Sequence, residues 1–479
     1  MSPSSPVERT ARDPGAARAR FVCLVALTAA SCTSLEGRAR DDAGFEDGPD
    51  DADSASADAP TDRLPSDAPR CERGVVPQAV GAWTTALDID APTPLQRLNV
   101  RDVRADAQGR VYIAGFYDRA GPPTFRGAVW RFRADEPVLD PTWGDGGRAL
   151  EPSGTNAAIA WTGIRFDAVG RVLLAGFEER DGRVTTILRR LGPEGALDTT
   201  FGVGGRVVVP SDLWPVSTTG MYPYGFALGP RGALSVGSDH PISVRNPQRA
   251  MAVAVDAEGQ VVTDFGDRGL WFDNTLHGCF DVRPDADGWV LACMDRDDRP
   301  ELVRLDARGR RDAAWRARAA AEASLPEGFH VRSMDRDSAG RWLVAGVISR
   351  GYDERIGPVA LVRYHPDGSL DHAFGSQGLA IVHDGRNSFV YSGSSMLTVG
   401  CEDRALLGAS NLYLPLIEVF DAQGRWMPQV SPSGYLMGPA HPSVTNAIYS
   451  VFLTAVTPHD VLMVVPSTPS RVLLARFHL

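Results

Sequence analysis

Aromatic and histidine side chains recur just ahead of a repeated turn in this chain, and they are the residues best placed to do chemistry. Trp161, Tyr222, His277, Phe329, His330 and Tyr449 stand nine to eleven residues before successive turns. Tyr224 is close by, and Asn387, Phe389 and Tyr391 fill a longer sixth loop. Ringed around one centre, such side chains could stack on sugar rings or clasp a peptide, since they bury much area at low entropic cost. Packing between neighbouring repeats is their competing fate.

Catalytic signatures are missing from the sequence. It has no Gly-x-Ser-x-Gly elbow, phosphate loop, His-Glu-x-x-His or dinucleotide fingerprint. The densest acidic cluster, Asp285, Asp287, Asp295, Asp297 and Asp298, straddles a hairpin turn and reads as a solvated face. The nine histidines are scattered singly. An enzyme on the same centre would need His, Asp, Glu or Arg converging from several repeats. The mapped positions are mainly aromatic and apolar, so binding without catalysis is expected. A lyase, hydrolase or quinone-linked oxidoreductase is the alternative. No catalytic residue, cofactor or metal is assigned. Cys279 and Cys293 flank the turn Pro284–Gly288 almost symmetrically, which suits a disulfide across two strands in an oxidising setting. Cys71 and Cys401 form a weaker candidate pair at the junction of the chain's two ends. No Cys-x-x-Cys accompanies them, which argues against zinc.

The elements that must position these residues come from a repeat of about 58 residues. One half reads Asp-x-x-Gly-Arg followed by an apolar run, as in Asp106–Gly109–Arg110 with Val111 to Gly115. Its turn recurs at Gly170, Gly232, Gly288, Gly340, Arg404 and Asp460. The other half reads Leu-Asp-x-x-aromatic-Gly, as in Leu197, Asp198, Phe201 and Gly202. In the second copy the spacing predicts four short strands, roughly 163–167, 171–177, 186–191 and 205–210, punctuated by Gly, Asp or Pro. Only 312–323 has a helical composition.

The expected fold is therefore all-β: a seven-bladed β-propeller of four-stranded antiparallel blades. The last copy lacks a fourth strand, and an unassigned apolar segment, Gly74 to Leu87, precedes the first turn. That N-terminal segment is expected to close the ring and remove the open sheet edges. Trp143, Phe201, Phe265, Trp315 and Phe374 are expected to anchor the core between blades.

The chain ends and the charge suggest an address. Residues 1–31 are expected to be a signal peptide of the lipoprotein type, with arginines ahead of the apolar stretch Phe21–Ala30. The run Leu27-Thr-Ala-Ala-Ser-Cys32 resembles a bacterial lipobox, although Ala29 stands where that motif prefers Leu, and ordinary signal cleavage remains a rival. The resemblance implies lipidation of Cys32 and an exported, outer-membrane lipoprotein facing the periplasm or the surface. Residues 32–71 are expected to be a disordered acidic linker, since 41–67 carries ten acidic side chains against Arg63 alone. This stretch supplies most of the formal net charge of −11, so the propeller at 72–479 is nearly balanced, which argues against nucleic-acid binding. Every basic residue is Arg. The lipid anchor is the only membrane attachment expected, and the protein is expected to be a monomer.

The phrases Leu361-Val-Arg-Tyr through Leu370-Asp371-His-Ala-Phe374-Gly375 and Ile187-Leu-Arg-Arg-Leu through Phe201-Gly202 closely resemble the delta-60 repeat. That repeat occurs in exported bacterial proteins and implies a propeller related to NHL propellers. The resemblance spans about residues 100–479 and transfers no catalytic set. The expected partner is thus a protein or polysaccharide of the cell envelope.

Overall fold

A computed structural model describes residues 78–86 and, between 98 and 478, the strands and most of their connecting turns. Seven antiparallel sheets follow one another along the chain. Blade 1 comprises Leu98–Ala105, Val111–Asp118, Phe125–Phe132 and Arg148–Leu150. Blade 2 comprises Ala158–Phe166, Val172–Arg180, Arg183–Leu191 and Arg206–Val208. Blades 3, 4 and 5 open with the inner strands Thr218–Gly229, Leu276–Asp285 and Phe329–Arg336. The inner strands of blades 6 and 7 are Leu397–Val399 and Phe452–Thr457. Among the described residues blade 4 has three strands, and blade 6 is extended by the short strands Ser388–Phe389 and Ile356–Gly357.

The ring closes as expected. Strand Gln78–Ala86 pairs antiparallel with Arg471–His478 and becomes the outermost strand of blade 7. Each inner strand also touches the inner strands of the blades before and after it, and blade 7 returns to blade 1. The core divides into seven apolar clusters, each shared by two adjacent blades, and one of them joins blade 7 to blade 1 through Phe452, Val464, Val100 and Val103. Burial on both faces of a sheet explains why strands such as Ala250–Val255 and Ala405–Ser410 are apolar or small throughout and fully buried, without alternation.

The repeated motif residues build the contact between blades. Trp143, Phe201, Phe265, Trp315 and Phe374 are at most 1% exposed. Each ring lies against the turn glycine of the next repeat. A Cβ on Gly195 would stand 2.7 Å from Trp143 Cε2, and one on Gly424 2.7 Å from Phe374 Cε2. These glycines also hold φ +89° and +78°, which other residues rarely adopt. Backbone hydrogen bonds accompany the stacking: Gly144 N–H donates to Glu194 O at 2.7 Å, and Gly202 N–H to Glu258 O at 2.7 Å. In Asp-x-x-Gly-Arg, Asp106 Oδ1 accepts N–H bonds from Gln108 and Arg110, both at 3.0 Å, while Arg110 Nε donates to Oδ2 at 2.7 Å. Asp167 and Asp337 repeat this pattern. Both turn classes are thus local backbone chemistry.

Cys279 and Cys293 face each other on adjacent strands of blade 4 and are joined by a disulfide. Cys401 is buried and also disulfide-bonded; Cys71, its expected partner, lies outside the described residues. The signal segment, Cys32 and the acidic linker lie outside them as well, as does most of 312–323 beyond a helical turn at 313–315.

Candidate functional site

The inner strands of blades 1 to 5 share an irregularity that the repeat motif does not show. In each, the pairing with the second strand slips by one residue. At a common level the skipped residues are Arg101, Thr162, Tyr224, Phe280 and Arg332, and blades 3 and 4 slip a second time at Thr219 and His277. Each residue of the common level stands eight residues ahead of its turn glycine. A β-bulge leaves its extra residue outside the ladder and re-aims the side chain. Five bulges at one level of a closed ring therefore re-aim two arginines, two aromatics and a threonine near the mouth of the central channel. Arg101, Thr162, Tyr224 and Phe280 are partly exposed there, whereas Arg332 is 5% exposed and donates to Val331 O. No carboxylate occupies any of these five positions.

Aromatic contacts extend this surface across blades. Phe116, Phe125, Phe177 and Tyr222 form a continuous run over blades 1 to 3, with ring centroids 5.2, 5.8 and 5.1 Å apart. Tyr224 stacks on Phe280 between blades 3 and 4, centroids 5.4 Å apart and planes 13° from parallel. Tyr222, Tyr224, Phe125, Phe177 and Phe280 are each partly exposed. Burial, with Glu179 adding to it, raises the Tyr222 hydroxyl above its ordinary pKa. The Arg101 guanidinium lies 5.2 Å from the Phe116 ring centroid. Burial pulls Arg101 below the usual arginine value, while Tyr224 and Asp118 act in the opposite sense.

Below the mouth the inner strands carry a charged layer. Asp102 Oδ2 accepts from Ile164 N–H of the next blade at 3.0 Å and from Arg165 Nη1 at 2.6 Å. Asp281 Oδ2 accepts from Met334 N–H at 2.9 Å, and its Oδ1 from Arg283 at 2.6 Å. Asp335 Oδ2 accepts from Val399 N–H at 3.1 Å, with Arg283 Nε 3.9 Å from its Oδ1. Each carboxylate therefore staples its blade to the following one. Burial, then the neighbouring Arg104, lowers Arg165 to about 10. Burial also raises the Asp335 carboxyl, and Arg283 opposes that shift only in part. Three acids do converge near the axis, but Asp102 and Asp281 are committed to arginine and backbone amides.

Of the residues expected at the mouth, Tyr222, Tyr224 and His277 are partly exposed. His277 Nε2 lies 2.8 Å from Gln248 Oε1, and its Nδ1 is 3.6 Å from Asp298. Trp161 and Phe329 are instead in the core, 1% and 0% exposed, and His330 is 5% exposed. Trp161 packs between blades 1 and 2 beneath the Arg189 guanidinium. The reason is the bulge: one inserted residue reverses the in–out phase of a strand, so Trp161 turns to the neighbouring blade while Thr162 is left outside the ladder, its Oγ1 donating to Ala175 O at 3.3 Å. The side chains of Phe389, Tyr391 and Tyr449 lie outside the described residues. Asp285 is held by Arg304 at 3.0 Å and Arg336 at 3.3 Å, and Asp295 caps its own turn. Among the described residues no cluster of His, Cys, Asp or Glu could hold a metal ion.

Sequence counting missed Arg101, Thr162, Phe280 and Arg332. A usable signal exists in positions eight before each turn, and in charged pairs such as Asp102/Arg104 and Asp281/Arg283 that interrupt otherwise apolar inner strands.

Two segments, residues 170–201 and 340–374, match the family described as a domain of unknown function (DUF5122) beta-propeller. They run from the Asp-x-x-Gly turn to the aromatic anchor in blades 2 and 5. No curated protein matches the chain. Among solved structures, a protein of unknown function from Dyadobacter fermentans aligns at 10% identity, covering 84% of this chain and 99% of its own, with a TM-score of 0.45. Prolyl oligopeptidase B from Galerina marginata aligns at 10% identity over 79% of this chain and 48% of its own, TM-score 0.44. The polysaccharide lyase Uly1 aligns at 8% identity over 79% and 89%, TM-score 0.40.

Proposed function

We propose that this propeller, built of delta-60-type repeats, is an exported binding module. It is held to the envelope by a lipid on Cys32 through the acidic linker, and it recognises a protein or polysaccharide partner without catalysis. The observation that carries the reading is the ring of bulged residues at the channel mouth. Bulges bend the backbone and forgo ladder hydrogen bonds, and five of them at one level re-aim the side chains suited to recognition. Chemistry is disfavoured because Asp102 and Asp281, deep in the channel, already hold arginines and amides.

The test is capture from an envelope extract by the full chain, compared with Tyr224→Ala and Phe280→Ala. Both side chains are partly exposed, so the variants should fold and capture less. Undiminished capture by both would remove the mouth from consideration. One observation favours an enzyme instead: Asp335, a carboxyl raised by burial and facing Arg283, is placed as a proton donor would be. Turnover of any captured polymer that vanishes in Asp335→Asn would establish that second reading.

A further inference from the structure

Arg101 differs from Arg104, Arg165 and Arg283 of the inner strands. Arg104 lies 3.2 Å from Asp102, Arg165 2.6 Å from Asp102, and Arg283 2.6 Å from Asp281. No carboxylate among the described residues pairs with Arg101, and its Nε is buried without a hydrogen-bond partner. Asp118, the acid that acts on Arg101 electrostatically, accepts a hydrogen bond at 3.2 Å from the side-chain amide of Asn99. A partly buried guanidinium with no anion beside it and a buried, unsatisfied Nε gains from a ligand that brings the anion. Its planar fork matches a carboxylate through two parallel hydrogen bonds.

The surroundings narrow the class of ligand. Phe116 backs Arg101, and Tyr224, stacked on Phe280, lies across the mouth within electrostatic reach of it. The mouth thus combines flat ring faces with a cation that has no carboxylate partner among the described residues. We infer that the mouth binds an acidic polysaccharide, a polymer of uronate sugars whose carboxylate docks on Arg101 while its ring packs against Tyr224 and Phe280. This rests on the mouth being the binding face. It favours a glycan over a peptide because flat ring faces beside a single cation suit rigid sugar rings that each carry one acid.

The experiment titrates the full chain with polygalacturonate, with the same polymer methyl-esterified, and with poly-glutamate, each by calorimetry. Polygalacturonate should bind, more weakly as salt rises, and the other two should not. Arg101→Gln should weaken binding about tenfold or more with little change in melting temperature, and Arg101→Lys should fall between. Equal binding of the esterified polymer would overturn the acid requirement and leave the aromatic face standing. Tight binding of poly-glutamate would overturn the glycan in favour of an acidic peptide. Binding to none of the three would overturn the inference alone, because capture from envelope extract decides the broader reading separately. If Arg101→Gln unfolds, salt dependence and the esterified polymer still decide.

Discussion

The two ends of the blade connections obey different rules. On the side of the repeated turns, successive blades present the same parts: an arginine late in the third strand, an aspartate after it, an aromatic, and the next repeat's glycine. Arg131, Arg190 and Arg363 bond Asp140, Asp198 and Asp371 at 2.6, 2.7 and 2.8 Å. They lie over Trp143, Phe201 and Phe374 and donate to the carbonyls of Pro193, Ala257 and Ala422 in the following repeat. At the axial mouth the equivalent position is Arg, Thr, Tyr, Phe and Arg in five consecutive blades. Sameness at the turns builds a ring; difference at the mouth cannot serve the ring and is the mark of a surface shaped for something else.

Even the turn side departs from its rule in an instructive way. In blades 3 and 6 the latch arginine is Ala254 or Val419, and the aspartate opposite is Val262 or Met427. Both halves of the buried pair change together, and Val262 and Met427 pack against the apolar clusters. A buried ion pair exchanged whole for apolar groups is tolerated, whereas losing one partner strands a charge.

The largest effects should come from the turn side. Trp143→Ala empties a fully buried site against Gly195 and should cost about 3–5 kcal/mol in denaturant unfolding. A loss under about 1 kcal/mol would mean that this contact does not hold the blades together. Arg363→Ala should cost about 3 kcal/mol by leaving the buried Asp371 its longer contact with Arg341 at 3.7 Å, and the double change Arg363→Val with Asp371→Met should recover most of it. A double variant as unstable as the single one would break the parallel with blades 3 and 6. Removing the Cys279–Cys293 disulfide, which closes a short loop beside the bulged Phe280, should lower stability by about 3 kcal/mol. Unfolding of the Cys279→Ala, Cys293→Ala double variant against the parent chain reads this directly, because a reductant would also open the Cys401 disulfide.

The smallest stability effect belongs to the axis. Because burial raises the folded Asp335 carboxyl, the folded state holds its proton more tightly than the unfolded chain. The resulting stabilisation is complete below the unfolded pKa and is lost as pH rises through the folded one. Asp335→Asn should therefore leave neutral-pH stability unchanged or slightly improved and flatten its pH dependence across the acidic range. A clear loss at neutral pH would show that the carboxylate is needed by Arg283 and Val399 N–H more than burial disfavours it.

Much of the fold was legible because turn chemistry and apolar runs are local. Asp106, Asp167 and Asp337 bond their own turns, and Trp143 and Phe374 need only the next repeat's glycine. The closing strand was legible from an apolar segment without a repeat of its own. The mouth was legible only in part, since a bulge is a change of phase that fixed offsets cannot follow. Tyr222 and Tyr224 fall on the accessible side, while Trp161 and Phe329 fall in the core. Arg101 was hidden because its significance lies in a missing partner, which only the packed ring reveals.

The most direct measurement compares the two ends in one assay: capture of envelope material by the full chain, by Tyr224→Ala at the mouth, and by Val203→Ser at an 88% exposed position on the turn side. The account predicts that capture falls with Tyr224→Ala and is unchanged with Val203→Ser. Capture that survives Tyr224→Ala and is lost with Val203→Ser would contradict it.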